Sequence, residues 1–271
     1  YSARAGCPDD GLENGSDVAW CDVSAGDGTR PVGAKPANPR GLYDMQGNAS
    51  EWCLDVWRPD YNGAARDGGP RMSDPTIPQA AWRYVLRGGD WASPADHLRY
   101  GRRHRGLSSF ANPATGLRIA WDPQGRMGDS GAGAGSNGRQ ESRMDRGLAH
   151  PAVSAVVSSG ELAILGEAKD LARGLNAAPD TSDTRPCTRG QSTVSTDSQA
   201  GRTILATHGV QFEFVRIPAG EFLMGMEEGS IERPVHKVRI GYDFEMARTE
   251  VTVAQFRAFV HATGYMTDGE K

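Results

Sequence analysis

The feature that most limits how this chain can fold is a long stretch without aromatic residues, from position 123 to position 201. All Trp, Tyr and Phe residues of the 271-residue chain lie before or after it. Within it, runs such as GDSGAGAGSNGRQESR offer too little apolar surface to offset the entropy of ordering the chain. We therefore expect residues 123–200 to be a mostly disordered linker between two folded parts, residues 1–122 and residues 201–271.

The first part, residues 1–122, is rich in Trp, Gly and Pro and contains short apolar runs at positions 84–86 and 117–121. This pattern is typical of short strands joined by long structured loops. Within the linker, residues 161–175 place several apolar residues at helical spacing, which predicts a short helix interrupted by two glycines. The residues of that face are Leu162, Leu165, Ala168, Leu171 and Ala172.

The last part begins with three predicted strands, at positions 212–215, 222–224 and 235–240. A helix is predicted after them, because Thr252 and Gln255 have the spacing of a capping box and Gly264 stands where a helix stop belongs. The apolar residues of this helix are expected to form a buried stripe. They are Val253, Phe256, Phe259 and Val260.

Composition excludes several classes of function. The net charge of -4 gives no basic field for phosphates, so nucleic acid is not an expected partner. No apolar run approaches the roughly 20 residues that span a bilayer. No leader sequence is visible, which leaves the compartment open. The cysteines lack the CxxC spacing of zinc knuckles and of thioredoxin-type redox sites, and are at Cys7, Cys21, Cys53 and Cys187.

The segment GLYDMQGNASEW, residues 41–52, offers oxygen donors within a short loop. A Gly-Asn turn is flanked by the carboxylates of Asp44 and Glu51, and the backbone carbonyls of Gly47 and Ala49 lie between them. Such a loop suits a hard cation such as calcium. Two carboxylates that are simply solvated are the alternative on local chemistry alone.

A second segment, residues 83–105, carries a cluster of arginines after a Gly-Gly pair. Arginines beside Trp91 can hold a carboxylate or a peptide carbonyl with two hydrogen bonds, or they can pair with acids of the domain itself. His97 and His104 are seven positions apart, and no carboxylate completes a facial triad with them in the sequence. Metal-binding histidines are therefore not expected here.

Nucleophilic catalysis finds little support in the sequence. The chain has no G-x-S-x-G elbow and no Walker A loop. Cys53 directly follows Trp52 in an apolar run, and we interpret it as a buried structural thiol.

With these residues in view, the chain resembles the formylglycine-generating enzyme family, also called sulfatase-modifying factors. The segments that carry the resemblance are YSARAG, RPVGAKPANPRGLYDMQGNASEWCLDVW, RYVLRGGDW, LRYGRR, GLRIA, FEFVRIPAGEFLMG, RPVHKV and RTEVTVAQFRAFVHATGY. The resemblance implies an α+β, C-type-lectin-like fold with little regular secondary structure. It also implies that the closing half of the family domain comes first here and the opening half last.

We interpret this inverted order as a fragment of a tandem array, the end of one domain followed by the start of another. In the family the opening and closing strands share one core, which allows the two partial domains to pair.

The resemblance also bears on metals and on function. Catalytic members carry two cysteines after the Gly-Gly pair that bind copper and the substrate thiol, and Ser93 and Leu98 stand at those positions. Copper is therefore not expected, whereas the calcium pattern of the family matches the four loop residues named above. These are Asp44, Gly47, Ala49 and Glu51.

The expected function is a non-catalytic or differently catalytic member of the family that binds a protein or peptide. The residues expected to line its cleft are Trp91, Arg99, Arg102 and Arg103. The alternative is an oxygen-dependent oxidase that converts a protein cysteine to formylglycine or acts on a related thiol.

Overall fold

A computed structural model of the protein describes residues 1–5, 15–107, 112–122, 154–158, 161–165, 193–197, 202–263 and 265. Its helical elements are α1 (Gly15–Val18), α2 (Val253–Thr263) and two short 3-10 turns at Gln79–Ala81 and Ala95–Leu98. The strands that precede position 200 are β1 (Ser50–Val56), β2 (Arg83–Arg87), β3 (His104–Leu107), β4 (Thr115–Gly116), β5 (Ile119–Asp122), β6 (Ser154–Ser158), β7 (Glu161–Leu165) and β8 (Thr193–Asp197). Those that follow are β9 (Arg202–Thr207), β10 (Val210–Ile217), β11 (Gly220–Met224), β12 (His236–Ile240) and β13 (Phe244–Ala247).

A four-stranded sheet in the order β3-β2-β1-β4 is built within residues 1–122. Strands β1 and β2 run antiparallel, with Trp52 opposite Leu86, and their register shifts between Trp52 and Val56. This sheet supports the loop of residues 44–51, because β1 begins at Ser50, directly after the Gly-Asn turn.

A seven-stranded sheet joins the two ends of the chain in the order β7-β6-β5-β13-β10-β9-β8. Its central contact pairs β5, from the first part, with β13, from the last part, and places Ala120 opposite Met246. Strand β13 also pairs with β10, where Phe214 lies opposite Ala247. The two parts of the chain therefore contribute neighbouring strands to one sheet.

The hydrophobic core also combines residues from both parts. Ile119 packs with Phe212, Phe214 and Ala247 in one cluster. A second cluster contains Leu42 together with Val215, Ile217 and Phe244. Because Leu42 and Ile119 are only 1 % exposed, each part loses core packing if the other is removed.

The described residues are rich in strands and contain few helices, which agrees with a mixed fold of little helical content. The strands predicted at positions 84–86, 117–121 and 212–215 lie within or overlap β2, β5 and β10. Within the described ranges, no helix is both long enough and apolar enough to cross a bilayer.

The prediction of a helix at residues 161–175 is wrong for its first five residues. Residues Glu161–Leu165 form β7, which pairs antiparallel with β6. Two glycines, Gly166 and Gly174, penalise a helix here, and the β-branched Val156 and Val157 favour the strand that offers a partner. Positions 166–175 and most of residues 123–200 lie outside the described residues, so a disordered linker remains a prediction for them. The described residues of this stretch form the strands β6, β7 and β8.

The capping box of α2 is confirmed. The Thr252 hydroxyl accepts a hydrogen bond from the Gln255 backbone N–H at 3.2 Å, and the Gln255 side-chain oxygen accepts one from the Thr252 N–H at 2.8 Å. The prediction of a buried apolar stripe on α2 is only partly correct, because Val253 is 73 % exposed. Val253 is the first helical residue, and the rings of Phe256 and Phe259 instead pack on each other at 5.7 Å.

Candidate functional site

The loop of residues 44–51 is held in a left-handed backbone conformation at three positions, Asp44, Gly47 and Asn48. Gly47 is required by a close approach, since a Cβ there would lie 2.1 Å from the Trp20 carbonyl oxygen. Asp44 and Asn48 are residue types that tolerate this conformation. The side chain of Asp44 accepts a hydrogen bond from the Gly33 N–H at 2.7 Å, which fixes its carboxylate against the loop.

The other predicted loop carboxylate, Glu51, forms a buried ion pair. Its Oε1 lies 2.7 Å from Nη2 of Arg118 and accepts a hydrogen bond from Nε of the same guanidinium at 2.9 Å. The same guanidinium donates to the Tyr43 carbonyl at 2.7 Å and to the Ala247 carbonyl at 3.1 Å. Arg118 thereby ties the loop and β1 to β13.

A third carboxylate, Glu250, reaches this loop from the last part of the chain. It accepts hydrogen bonds from the Asn48 side-chain amide at 3.1 Å and from the Ala49 N–H at 3.2 Å. Burial, reinforced by the negative charge of Glu51, raises the pKa of Glu250 to about 8. Burial also raises the pKa of Asp44. Three carboxylates thus surround one guanidinium in a poorly solvated site.

The expected calcium ligands are therefore gathered in one loop, but they are already engaged by the protein. Oε1 of Glu51 contacts Arg118, and Oδ2 of Asp44 contacts Gly33. Across the described residues, no group of three or more His, Cys, Asp or Glu side chains is arranged to hold a metal ion. Calcium coordination through Asp44, Gly47, Ala49 and Glu51 stays a prediction.

The positions where the resemblance places the copper-binding cysteines have clear structural roles. The Ser93 hydroxyl donates to Oδ1 of Asp90 at 2.9 Å and accepts from the Asp90 N–H at 3.0 Å, which closes a tight turn after the Gly-Gly pair. Leu98 is 1 % exposed and packs against Ala19 and Cys21. Neither side chain offers a thiolate for copper.

Of the two cysteines in the described residues, Cys21 is buried and Cys53 is partly buried. Cys21 is 0 % exposed and lies 3.5 Å from the Ser24 hydroxyl. Burial raises the pKa of Cys53 to about 12, so this thiol stays protonated at neutral pH. This supports the interpretation of Cys53 as structural, while Cys7 and Cys187 lie outside the described residues.

The four residues expected to line a binding cleft have different surroundings. Arg103 is 3 % exposed; its guanidinium stacks on the rings of Trp57 and Tyr61 at 4.3 Å and donates to the Ile231 carbonyl at 2.9 Å. It is thus part of the core rather than of an open surface, because aromatic rings and carbonyls satisfy it. Arg103 also borders a cavity of about 260 Å³, and its expected role in lining a binding cleft stays a prediction.

The other three residues are only partly buried. Nη1 of Arg102 lies 3.8 Å from Oε1 of the buried Glu232. Arg99 borders a cavity, and the backbone N–H of Trp91 donates to the Asn48 carbonyl at 2.9 Å, within the loop of residues 44–51. Their role in ligand binding stays a prediction.

His97 and His104, for which the sequence shows no completing metal ligand, are neighbours in the fold. Their ring centroids are 4.9 Å apart, and Nη2 of Arg102 lies 3.4 Å from Nε2 of His97. Burial lowers the pKa of His104, so the neutral ring is favoured near neutral pH. The pair packs as an aromatic contact beside an arginine.

The described residues form a loop-rich, mainly β domain with few helices. One of its sheets joins two distant segments of the chain, and a buried carboxylate–arginine centre lies beside it. The sequence profile described as "Sulfatase-modifying factor enzyme 1-like domain" matches residues 14–123 and 206–270. The chain belongs to this family.

Individual relatives are similar over shorter stretches. The chain is 42 % identical over 92 residues to the serine/threonine-protein kinase pkn1 of Chlamydia caviae, covering 34 % of this chain and 14 % of that protein. It is 34 % identical over 102 residues to the formylglycine-generating enzyme of Thermomonospora curvata, covering 35 % of this chain and 32 % of that enzyme. The solved structure of PvdO from Pseudomonas aeruginosa is 32 % identical, with a TM-score of 0.35 over 42 % of this chain and 44 % of PvdO. The chain therefore spans a minor part of each.

Sequence reasoning missed the residues that organise the site from a distance. Arg118 stands between Leu117 and Ile119 in a predicted strand, and a charge in an apolar run signals a buried partner. Glu250 directly precedes the capping box, where no local pattern indicates that it reaches the loop of residues 44–51. Only the three-dimensional pairing of β5 with β13 brings the two together.

Proposed function

We propose that this domain is a protein- or peptide-binding member of its family that does not carry out copper-dependent thiol oxidation. The observation that carries the proposal is the chemistry at Ser93 and Leu98. A copper site of the kind implied by the family needs two thiolates, and here one position closes a turn through Asp90 while the other fills the core.

The binding surface proposed for this function is centred on Trp91, Arg99 and Arg102. A guanidinium recognises a carboxylate or a carbonyl through two parallel hydrogen bonds, and an indole adds apolar contact area, so the surface suits an acidic peptide. The finer fold assignment, a C-type-lectin-like domain completed by two partial family domains, belongs to the same proposal. Its support is the low helix content and the shared sheet of β5 and β13.

The test combines binding and turnover on one set of peptides. A library of acidic, cysteine-containing peptides is panned on the purified chain, and oxygen uptake by the enriched peptides is then followed during titration with Cu(I). We expect enrichment without oxygen uptake above the metal-only background. Trp91→Ala and Arg99→Ala should lose the enriched peptides, whereas Arg216→Ala, which removes an exposed guanidinium from β10 of the seven-stranded sheet, should retain them.

The same assay decides between this proposal and the oxidase alternative. Copper-dependent turnover by the unmodified chain would overturn the proposal in favour of an oxidase acting on a cysteine or a related thiol. A Ser93→Cys, Leu98→Cys double variant provides a positive control for the metal, because it restores two thiols at the positions implied by the family. Equal peptide retention by Trp91→Ala would reject the proposed surface.

A structural calcium ion in the loop of residues 44–51 is part of the proposed function. Its support is the gathering of the carboxyl groups of Asp44, Glu51 and Glu250 around the single guanidinium of Arg118. Because the pKa of Glu250 is raised to about 8, this carboxyl group is mainly neutral at neutral pH and is not one of the expected ligands. The contacts to Gly33 and Arg118 use Oδ2 of Asp44 and Oε1 of Glu51, so the expected calcium ligands are the other carboxylate oxygens, Oδ1 and Oε2. Calcium accepts such an irregular set of carboxylate, carbonyl and water oxygens.

We expect calcium to raise the melting temperature of the unmodified chain relative to a chelator, by an amount equivalent to about 2.7 kcal/mol at a hundredfold excess over its Kd. Asp44→Asn is the matched variant, because asparagine tolerates the left-handed backbone and its amide oxygen still accepts from the Gly33 N–H. It should fold normally and lose the calcium-dependent shift. Glu51→Gln is less informative, since it also breaks the pair with Arg118. Identical melting curves with calcium and with chelator would remove calcium from the proposal.

A further inference from the structure

A cavity of about 400 Å³ is bordered by both parts of the chain; its wall includes Met45 and Glu51 of the loop of residues 44–51, but neither Trp91 nor Arg102. One wall is β1, whose residues 51–55 border this space and are only partly buried, although the strand is internal to its sheet. The opposite wall comes from the last part of the chain. A cavity of this volume is in the range that holds a small organic ligand.

The walls of the cavity are mainly apolar and are rich in side chains that adapt to a flat ligand. They include Met45, Trp52, Phe222, Met224, Phe244 and Met246. Thioether groups pack well against aromatic rings, and aromatic side chains stack or meet edge to face with them. This lining favours a planar apolar body over a sugar or a nucleotide.

The polar side of the cavity contains the guanidinium of Arg87. It donates to the Tyr61 hydroxyl at 2.5 Å, and its longer contacts are with the carbonyls of Tyr100 at 3.4 Å and Arg102 at 3.5 Å. The two carbonyl contacts are at the limit of hydrogen-bond range, so a better acceptor could replace them.

Within the described residues, Arg87, like the buried Arg103, lacks the carboxylate partner that several other buried or partly buried arginines have. Arg58, Arg102, Arg118 and Arg248 each contact a carboxylate. Among the residues that the structure describes, Arg87 forms no such ion pair. Because a desolvated charge is costly when it is unpaired, this position is suited to receive an anionic group from a ligand.

The carboxylates on the cavity wall form no ion pair with Arg87, although the negative charge of Asp55 is near enough to favour the charged form of this guanidinium. Glu51 is paired with Arg118, and Asp55 accepts a hydrogen bond from the Arg71 N–H at 3.1 Å. Asp67 accepts one from the Gly69 N–H at 2.9 Å. The wall thus carries three carboxylates against four guanidinium groups, those of Arg4, Arg87, Arg99 and Arg118.

The geometry points to a binding site for a small aromatic monocarboxylate, whose ring lies between the methionine and aromatic side chains and whose carboxylate meets Arg87. This inference goes beyond the proposed peptide surface, which lies elsewhere and shares only Arg99 with the cavity wall. A carboxylate bound to a guanidinium with two parallel hydrogen bonds gives both affinity and orientation.

The experiment is a titration with two probes of the same shape, 2-naphthoate and its neutral amide 2-naphthamide, on the full chain. The unmodified protein should bind 2-naphthoate roughly ten- to a hundredfold more tightly than the amide, the range expected for a charge-assisted contact. Arg87→Gln should reduce the affinity for 2-naphthoate to that for the amide and leave the affinity for the amide unchanged. The unchanged amide affinity also shows that the variant is folded.

A second variant tests the cavity without changing charge. Ala120 lies on β5 at the cavity wall, and Ala120→Phe should abolish binding of both probes while the secondary structure is retained by circular dichroism. Equal affinity of the two probes for the unmodified chain would overturn the site, as would equal weakening of both by Arg87→Gln. The site would also be overturned if the unmodified chain bound neither probe, whether or not another polypeptide segment fills the cavity. None of these outcomes affects the oxygen-uptake test at Ser93 and Leu98.

Discussion

Arg118→Leu is expected to lower the free energy of unfolding by about 3–5 kcal/mol, among the largest single effects in this domain. The side chain of Arg118 is 2 % exposed and pairs with Glu51, which is 16 % exposed. Removing the guanidinium leaves the carboxylate of Glu51 without its ion-pair partner in a poorly solvated site and removes the positive charge nearest to Asp44. It also leaves the Tyr43 and Ala247 carbonyls without their donor. Urea unfolding followed by circular dichroism measures the loss.

The matched control is Arg216→Leu. Arg216 pairs with Asp243 at the surface, where its side chain is 69 % exposed, so its loss should change the unfolding free energy by at most about 1 kcal/mol. Adding Glu51→Gln to Arg118→Leu should recover part of the lost stability, because the unpaired buried charge is then reduced. Equal effects of Arg118→Leu and Arg216→Leu would show that the carboxylate–arginine centre does not stabilise the fold.

The parts of the fold that depend on neighbours in the sequence could be predicted from the sequence. The capping box of α2 is an example, since Thr252 and Gln255 lie within one helical turn and their hydrogen bonds are local. The strands around positions 84–86 and 212–215 follow from short apolar runs in the same way. Where local propensity and tertiary pairing compete, as at Glu161–Leu165, the available partner strand decides the outcome.

The candidate site could be predicted only in part, because its charges are balanced by residues far away in the chain. The carboxylates of Asp44 and Glu51 were visible in the loop sequence, but Arg118 is 67 positions from Glu51 and Glu250 is 202 positions from Asn48. Arg103 illustrates the same difficulty. Its place in an arginine-rich run suggested a residue that lines a binding cleft, but its packing against Trp57 and Tyr61, 40 or more positions away, could not be predicted from the sequence.

Phe214→Ala is the second change for which we expect a large effect, and it tests whether the two parts of the chain form one unit. Phe214 is 0 % exposed and packs in the cluster that contains Ile119 from the first part. Truncation of a fully buried Phe costs about 3–5 kcal/mol. For a domain of this size, that corresponds to a decrease in melting temperature of roughly 10 °C.

The distribution of tryptophan makes the test specific. All Trp residues lie between positions 20 and 121, so tryptophan fluorescence reports only on the first part, while the substitution is in the last part. If β5 and β13 join both parts into one cooperative unit, Phe214→Ala must shift the fluorescence transition by the full amount. Val253→Ala, at a position 73 % exposed, should change stability by less than about 0.5 kcal/mol and serves as the control in the same segment. A fluorescence transition unchanged by Phe214→Ala would mean that the two parts fold independently, as expected for pieces of two separate domains in a tandem array.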